Sequence, residues 1–201
     1  MSEHHSLTGL LMATMLEARP FVERLGLEKQ ERKPFEIYGN GKLALIISGI
    51  GKANAAAACS YLILRKKPSF VCNLGAAGAM SAEHSLGEIR HISKVLEPDR
   101  PELKSGRPHE HRPDVLKGFP TAILATQDKP MKSLEERKAV SLLAHLADME
   151  GAAVVQTCRH FGTKCHVFKF VSDTPEDHAI VKNIKRYRDN FCEFFRKNGV
   201  I

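Results

Sequence analysis

Asp148-Met-Glu-Gly-Ala-Ala-Val-Val-Gln-Thr-Cys-Arg-His-Phe-Gly-Thr-Lys-Cys-His-Val-Phe-Lys-Phe-Val-Ser-Asp173 carries two structural periods in succession. From Gly151 to Phe161 the apolar residues Ala152, Val155 and Phe161, with Ala153 and Val154, fall near helical spacing, and Gly162 supplies a stop. His166 to Val171 then runs Val, Phe, Lys, Phe, Val, as a buried strand would. Glu150 therefore stands at a predicted helix start and Asp173 at a strand's carboxyl end. In open α/β sheets ligands bind beyond the carboxyl ends of the strands, so two acids delivered there, one near a helix N-terminus, mark a candidate site. Each also has a plain structural reading: Glu150 as a cap, Asp173 as the opening of a turn before Pro175.

The segments upstream repeat the strand-then-helix order. Thr8 to Thr14 is a short apolar run that reads as a buried strand. Glu17 follows it, ahead of a helix in which Pro20 sits in the first turn and which Gly26 closes. Phe35–Asn40 and Lys42–Ser48 form a predicted hairpin around Gly39-Asn40-Gly41. Gly49-Ile50-Gly51-Lys52-Ala53-Asn54 turns into an alanine-rich helix to about Lys67, ended by Pro68. That Gly-x-Gly lacks the third glycine of a dinucleotide fingerprint and the Gly-Lys-Ser/Thr ending of a P-loop, so it reads as a tight turn.

A buried strand from Ser69 empties into Gly75-Ala76-Ala77-Gly78-Ala79, whose tiny side chains let a ligand or a neighbouring element approach the backbone. A further strand runs to about Leu96. Pro98 to Pro113, with four prolines and almost no apolar residues, reads as a mobile loop. Thr121–Thr126 gives another strand, and Ser133-Leu134-Glu135-Glu136 a capping box for a helix to about Leu146. Pro175 to Asn198 closes the chain as a helix with Ile180, Ile184, Tyr187, Phe191 and Phe194/Phe195 on one face. The alternation predicts one α/β domain over residues 1–201, with a central mixed, largely parallel, twisted sheet and helices on both faces.

Composition narrows the function. A chain of 201 residues, 43% hydrophobic, supports one sizeable core. The longest apolar runs, such as Ala55 to Leu64, are too short for a membrane span, and Met-Ser-Glu-His-His at the N-terminus lacks the grammar of a secretory signal. The five cysteines, Cys59, Cys72, Cys158, Cys165 and Cys192, never reach Cys-x-x-Cys spacing and read as core thiols of a cytoplasmic protein. The formal charge of +7 is scattered apart from the run Lys182 to Arg188, which argues against a nucleic-acid partner. His84, His91, His109 and His111 form no complete ligand set, so no metal or other cofactor is expected.

Taken in order, Glu17, Gly49-Ile50-Gly51-Lys52-Ala53-Asn54-Ala55-Ala56, Asn73-Leu74-Gly75-Ala76-Ala77-Gly78, Asp148-Met149-Glu150-Gly151-Ala152-Ala153 and Val171-Ser172-Asp173 resemble the nucleoside phosphorylase/nucleosidase superfamily. Within it the likeness is greatest to methylthioadenosine/S-adenosylhomocysteine nucleosidases, and it spans nearly the whole chain. The resemblance implies a nucleoside phosphorylase-like fold and cleavage of a purine–ribose bond through an oxocarbenium-like transition state. It implies Asp173 as the acid that protonates the leaving purine, oriented by Ser172, much as glycosidases use a carboxylic acid. It implies Glu150 as acceptor for the ribose hydroxyls with Met149 under the sugar, Glu17 as the base that activates water, and Ala76, Ala77 and Gly78 as backbone facing the substrate.

Three departures accompany the resemblance. Pro130 and Met131 stand where the family walls the base with an aromatic and main-chain groups, Ala76 stands where these nucleosidases often carry serine, and the segment from Leu86 to Asp128 is shortened. A phosphorylase needs a cationic anchor for phosphate, and Arg19 is the only arginine close to a motif, so hydrolysis is favoured over phosphorolysis. A nucleoside-binding or regulatory protein without turnover is the other alternative, argued against by the retention of both Glu17 and Asp173. The expected partners are a small-molecule purine nucleoside and, by resemblance, a second copy in a homodimer.

Overall fold

The computed structural model describes residues 7–131 and 133–201, so the N-terminal stretch read above for a secretory signal lies outside the described residues. Strand β5 (Phe70–Ala79) organises the sheet because it serves three neighbours. Its first half pairs in parallel with β1 (Thr8–Met12), from Thr8↔Phe70 to Leu11↔Asn73. Its other edge pairs in parallel with β10 (Lys164–Asp173), from Lys164↔Phe70 to Asp173↔Gly78. At its far end Gly78 and Ala79 pair antiparallel with β9 (Leu146–Asp148). Between the β1 and β9 pairings, residues 74–77 have no strand on that edge, and the candidate site occupies the gap.

Beyond β1 the sheet continues through β4 (Leu43–Ile47), β3 (Glu36–Gly39) and β2 (Glu28–Glu31). Beyond β10 it passes through β6 (Ile89–Pro101) and β8 (Thr121–Thr126) to β9 and so returns to β5. The sheet is mixed as expected, and it additionally closes into a barrel-like ring. Ten-residue strands make this possible: right-handed twist carried along β5 and β10 presents their two ends to different neighbours.

Both faces of the sheet are covered. On β10, Val167 and Val171 join the core under α2 (Lys52–Lys66) and α4 (Gly151–His160), whereas Phe168 and Phe170 point to the opposite core under α1 (Met15–Arg24) and α5 (Ile180–Asn198). Leu11 and Leu10 divide in the same way on β1. The period-two pattern with apolar residues on both sides is what makes these strands read as continuous hydrophobic runs. Phe21 of α1 meets Phe191 of α5 edge-to-face at 5.9 Å, and Phe195 meets Phe168 at 5.1 Å. Each such fully buried phenylalanine contributes about 1.5–3 kcal/mol from burial alone. All five cysteines are buried free thiols, consistent with their reading as core residues.

Several boundaries differ from the sequence reading. Helix α1 starts at Met15, before Pro20 rather than at it, because Thr14 caps it in a capping box with Glu17. Pro20 then lies inside the helix, where its missing N–H frees the Leu16 carbonyl, and Arg188 of α5 donates to that oxygen at 2.6 Å. Residues 98–113 are not simply a loop: β6 extends to Pro101 and pairs with β7 (Pro108–His111). In place of apolar side chains, buried Glu97 accepts from His111 Nε2 at 2.7 Å, Gln156 Nε2 at 3.1 Å and Lys52 Nζ at 3.3 Å. Pro101 and Pro108 face each other at the end of this hairpin, where loss of a donor matters least. The helix predicted to reach Leu146 stops at Ser141 as α3 (Leu134–Ser141), since His145 N–H is drawn to the Ile123 carbonyl of β8 and Leu146 enters β9.

Candidate active site

The gap along β5 opens into a cavity of ≈ 280 Å³ whose wall includes all ten residues singled out from the sequence. Glu17 comes from α1, Ala76, Ala77 and Gly78 from β5, Pro130 and Met131 from the β8–α3 loop, Met149 and Glu150 from the β9–α4 junction, and Ser172 and Asp173 from β10. Four of these are polar and, although they line a cavity, each is nearly buried in the protein: Glu17, Glu150, Ser172 and Asp173.

Glu17 is fixed through both oxygens. Thr14 donates to Oε2 from its backbone at 3.1 Å, one half of a capping box whose other half is the Glu17 N–H donating to the Thr14 hydroxyl oxygen, and that hydroxyl also donates to Oε2 at 2.6 Å. Ala76 N–H, left without a strand partner in the gap, donates to Oε1 at 2.9 Å. Gly75 makes room for this carboxylate, since a Cβ there would stand 2.9 Å from Oε1. The small residues of β5 thus serve the approach of an acid side chain as well as the cavity.

The second acid is freed from capping by its neighbour. Asp148, two residues before Glu150, accepts the Gly151 N–H at 2.8 Å and the Thr126 hydroxyl at 2.6 Å, and Lys169 Nζ lies 2.8 Å from its Oδ2. Burial would pull the Lys169 ammonium down, but the charges of Asp148 and Glu150 carry it above its ordinary value. Glu150 occupies the N-cap position of α4 without any side-chain capping bond and instead accepts the Gly51 N–H at 2.8 Å. Burial first, and then the charge of Asp148, pushes its carboxyl up to about 7, against the opposing pull of Lys169 and the Gly51 N–H. The Gly49–Gly51 turn therefore positions an acid. Its lysine, Lys52, is engaged by Glu97 and by Asp99 at 2.9 Å.

Asp173 sits where β10 meets the end of β5. Ser172 Oγ donates to Oδ1 at 2.7 Å, and Gly78 leaves space for Oδ2, which a Cβ there would approach to 2.7 Å. A contact not anticipated from the sequence completes the corner: the guanidinium of Arg137, from α3, donates through Nη2 to Asp173 Oδ2. Its Nη1 also donates to the Ala79 carbonyl at 2.6 Å. Arg137 and Val140, three apart, share the buried face of α3, so a charged residue in register with an apolar one was the available signal. Arg19, the arginine considered as a phosphate anchor, is exposed.

Most of the remaining wall is apolar, with Leu16, Ile50, Met80 and, from α5, Ile180, Val181 and Ile184. Gln127 also lines it, its amide nitrogen donating to the Lys129 carbonyl at 2.9 Å. Among the described residues no group of three or more His, Cys, Asp or Glu side chains is arranged to hold a metal ion. None of the helices among them is long and apolar enough to cross a membrane. The arrangement presents three acids on three separate elements, two of them held by backbone donors, which suits proton transfer to and from a bound polar molecule.

The family model described as Phosphorylase superfamily matches residues 119–197, the span that supplies Met149, Glu150, Ser172 and Asp173. The chain is 26% identical over 185 residues to a 5'-methylthioadenosine/S-adenosylhomocysteine nucleosidase of Exiguobacterium sp., covering 78% of each. Its structure is similar to that of the nucleosidase of this type from Neisseria meningitidis solved with methylthio-immucillin-A, with a TM-score of 0.80, 20% identity, and 94% and 96% of the two chains covered. It is also similar to the futalosine hydrolase of Helicobacter pylori, with a TM-score of 0.83, 19% identity, and 97% of each chain covered. At such identities the two solved structures establish a shared fold.

Proposed function

We infer that this chain is a purine nucleosidase of the phosphorylase superfamily, hydrolysing the N-glycosidic bond of a nucleoside of the methylthioadenosine/S-adenosylhomocysteine type or a related one. The observation that carries the reading is the convergence of Glu17, Glu150 and Asp173 on one largely apolar cavity, each carboxylate held by its own donors. Fold and relatives support the reaction class, and the roles that follow are ours.

The C1′–N9 bond breaks with its electron pair leaving on the base, and Asp173 passes a proton to the imidazole-ring nitrogen so that the base departs neutral. Ser172 and Arg137 then hold the resulting carboxylate. Glu150 accepts hydrogen bonds from the ribose hydroxyls over Met149, and its charge favours the cationic sugar. Water attacks C1′ and gives its proton to Glu17, whose orientation Thr14 and Ala76 fix. Solvent exchange returns Glu17 and Asp173 to their starting forms. Pro130 and Met131 wall the base, and Ala76, Ala77 and Gly78 offer backbone to the substrate.

Hydrolysis is preferred to phosphorolysis because Glu17 is built into the wall, Arg19 is exposed, and Arg137, which does line the cavity, is committed to Asp173 and the Ala79 carbonyl. We place the enzyme in the cytoplasm and, from the family resemblance, as a homodimer, which sedimentation tests. The activity is tested by incubating the pure protein with methylthioadenosine, S-adenosylhomocysteine, adenosine, inosine and futalosine, with and without phosphate. Free base and free ribose moiety in phosphate-free buffer are expected. Phosphate-dependent release with a ribose phosphate product would overturn the hydrolytic reading.

A further inference from the structure

We propose that Lys52 is a positioning residue of the site: by fastening the start of α2 to β6, it sets the two N–H groups that hold the ribose acid Glu150 and the base-wall loop at Asp128. This rests on the nucleosidase reading and adds to it the group that keeps two walls of the cavity in register. Helix α2 opens without a side-chain cap, so its first N–H groups need other acceptors. Two consecutive ones find carboxylates from different elements. Gly51 N–H donates to Glu150 Oε1 at 2.8 Å, and Lys52 N–H donates to Asp128 Oδ1 at 3.2 Å. Glu150 lines the cavity from the β9–α4 junction, and Asp128 opens the loop whose Pro130 and Met131 line it from another side. Negative charge is favoured at a helix N-terminus, so both acids are drawn to the same turn.

The side chain of Lys52 decides where that turn stands. Its Nζ donates to Asp99 Oδ1 at 2.9 Å and to Glu97 Oε1 at 3.3 Å, both on β6, and lies 3.7 Å from Asp128 Oδ2. Asp99 Oδ2 in turn accepts the Asp128 N–H at 2.9 Å, so the loop is held by the same carboxylate that holds the lysine. Exposed ion pairs contribute little, but the Lys52 side chain is only 16% exposed and that of Glu97 only 2%. Burial would pull the ammonium down, yet its hydrogen bonds to Asp99 and Glu97 carry it above its ordinary value, so it stays charged. Glu97 also accepts from His111 of β7 and Gln156 of α4, which fixes the anchor itself. These contacts reach Glu150 and the loop, whereas Glu17 and Asp173 have donors of their own in Thr14, Ala76, Ser172 and Arg137. Loss of Lys52 should therefore act on holding the substrate more than on the chemical step.

The test compares wild type, Lys52→Met, Glu150→Ala and the double variant Lys52→Met/Glu150→Ala as full chains. Steady-state base release is followed on whichever nucleoside wild type turns over fastest, with urea unfolding measured beside it. A smaller folded fraction lowers the apparent kcat but leaves KM unmoved, so KM is the readout. Lys52→Met is expected to raise KM by about 10-fold, the scale of one hydrogen bond to a charged group, with a smaller fall in kcat. With the Glu150 carboxylate gone the same substitution has less to displace, so KM should rise by less in the Glu150→Ala background than in wild type. Should Lys52→Met not fold, Asp99→Asn weakens the same anchor and carries the test with the same expectation. An unchanged KM, a loss confined to kcat, or an equal rise in both backgrounds overturns the proposal while leaving the nucleosidase reading intact. Failure of wild type to release base from any of the nucleosides named above overturns both.

Discussion

Lys169 Nζ lies 2.8 Å from Asp148 Oδ2 with the two side chains only 2% and 1% exposed, so the pair is a buried, self-contained ion pair at the floor of the site. Its consequence falls on Glu150. Lys169 is committed to Asp148, and burial together with Asp148's own charge leaves the Glu150 carboxyl pushed up to about 7.

Glu150 should therefore impose a pH dependence on substrate binding. Below about pH 7 its proton removes an acceptor for the ribose hydroxyls, so KM is expected to rise as pH falls through that value, and Glu150→Gln to abolish the trend. Stability has the opposite sign. The folded carboxyl binds its proton more tightly than the unfolded one at 4.5, so stability declines as pH rises from 4.5 to 7. Urea denaturation at pH 8 should find Glu150→Gln more stable than wild type by on the order of 3 kcal/mol, with the two converging near pH 4.

Removing one member of the buried pair isolates its charge. Lys169→Met leaves the buried Asp148 without its cation, at an expected cost of about 3–5 kcal/mol in urea unfolding. The double variant Lys169→Met/Asp148→Asn should recover much of that loss, and no recovery would argue against the pairing.

Gly78→Ala should act on chemistry more than on folding. Its Cβ would stand 2.7 Å from Asp173 Oδ2 and 3.2 Å from Cγ, so the acid must move. A displacement on that scale costs about 10²-fold in kcat. Thermal unfolding measured beside the steady-state rates separates a displaced acid from a lost fold.

Thr14 ties the cap of α1 to the orientation of Glu17. Thr14→Val removes the hydroxyl that both caps α1 and donates to Glu17 at 2.6 Å. About 1 kcal/mol of stability should go, together with a fall in kcat beyond what the melting curve explains, because Glu17 loses one of its fixed donors.

The elements that carry the site were legible because their periodicity is enforced by burial. β10 and β5 are apolar on both faces, α4 is buried over most of its length, and α5 shows one buried stripe. What escaped lacked such a pattern. β2 reads Glu-Lys-Gln-Glu because it is a sheet edge facing solvent, β9 is only three residues long, and β7 pairs through a hairpin closed by prolines and a buried Glu97–His111 contact. Barrel closure depends on one strand serving three partners, which no local signal announces. Glu150 and Asp173 were placed at a helix start and a strand end by periodicity, the resemblance supplied roles for them and for Glu17, and all three line the cavity. Arg137 was missed because it stands in a run of charges, Glu135-Glu136-Arg137-Lys138, that ordinarily marks a solvated face, whereas its guanidinium reaches the ends of β5 and β10 at Ala79 and Asp173.

The account turns on Asp173 as the acid for the departing base. Its most direct test is the initial rate of purine release in phosphate-free buffer by wild type and Asp173→Asn, using whichever nucleoside wild type turns over fastest. The amide preserves shape but offers one acceptor oxygen to two donors, Ser172 and the buried Arg137, so circular dichroism accompanies the rates, and in the folded variant release is expected to fall by about 10²–10⁴-fold. A variant that releases base at the wild-type rate would contradict the mechanism.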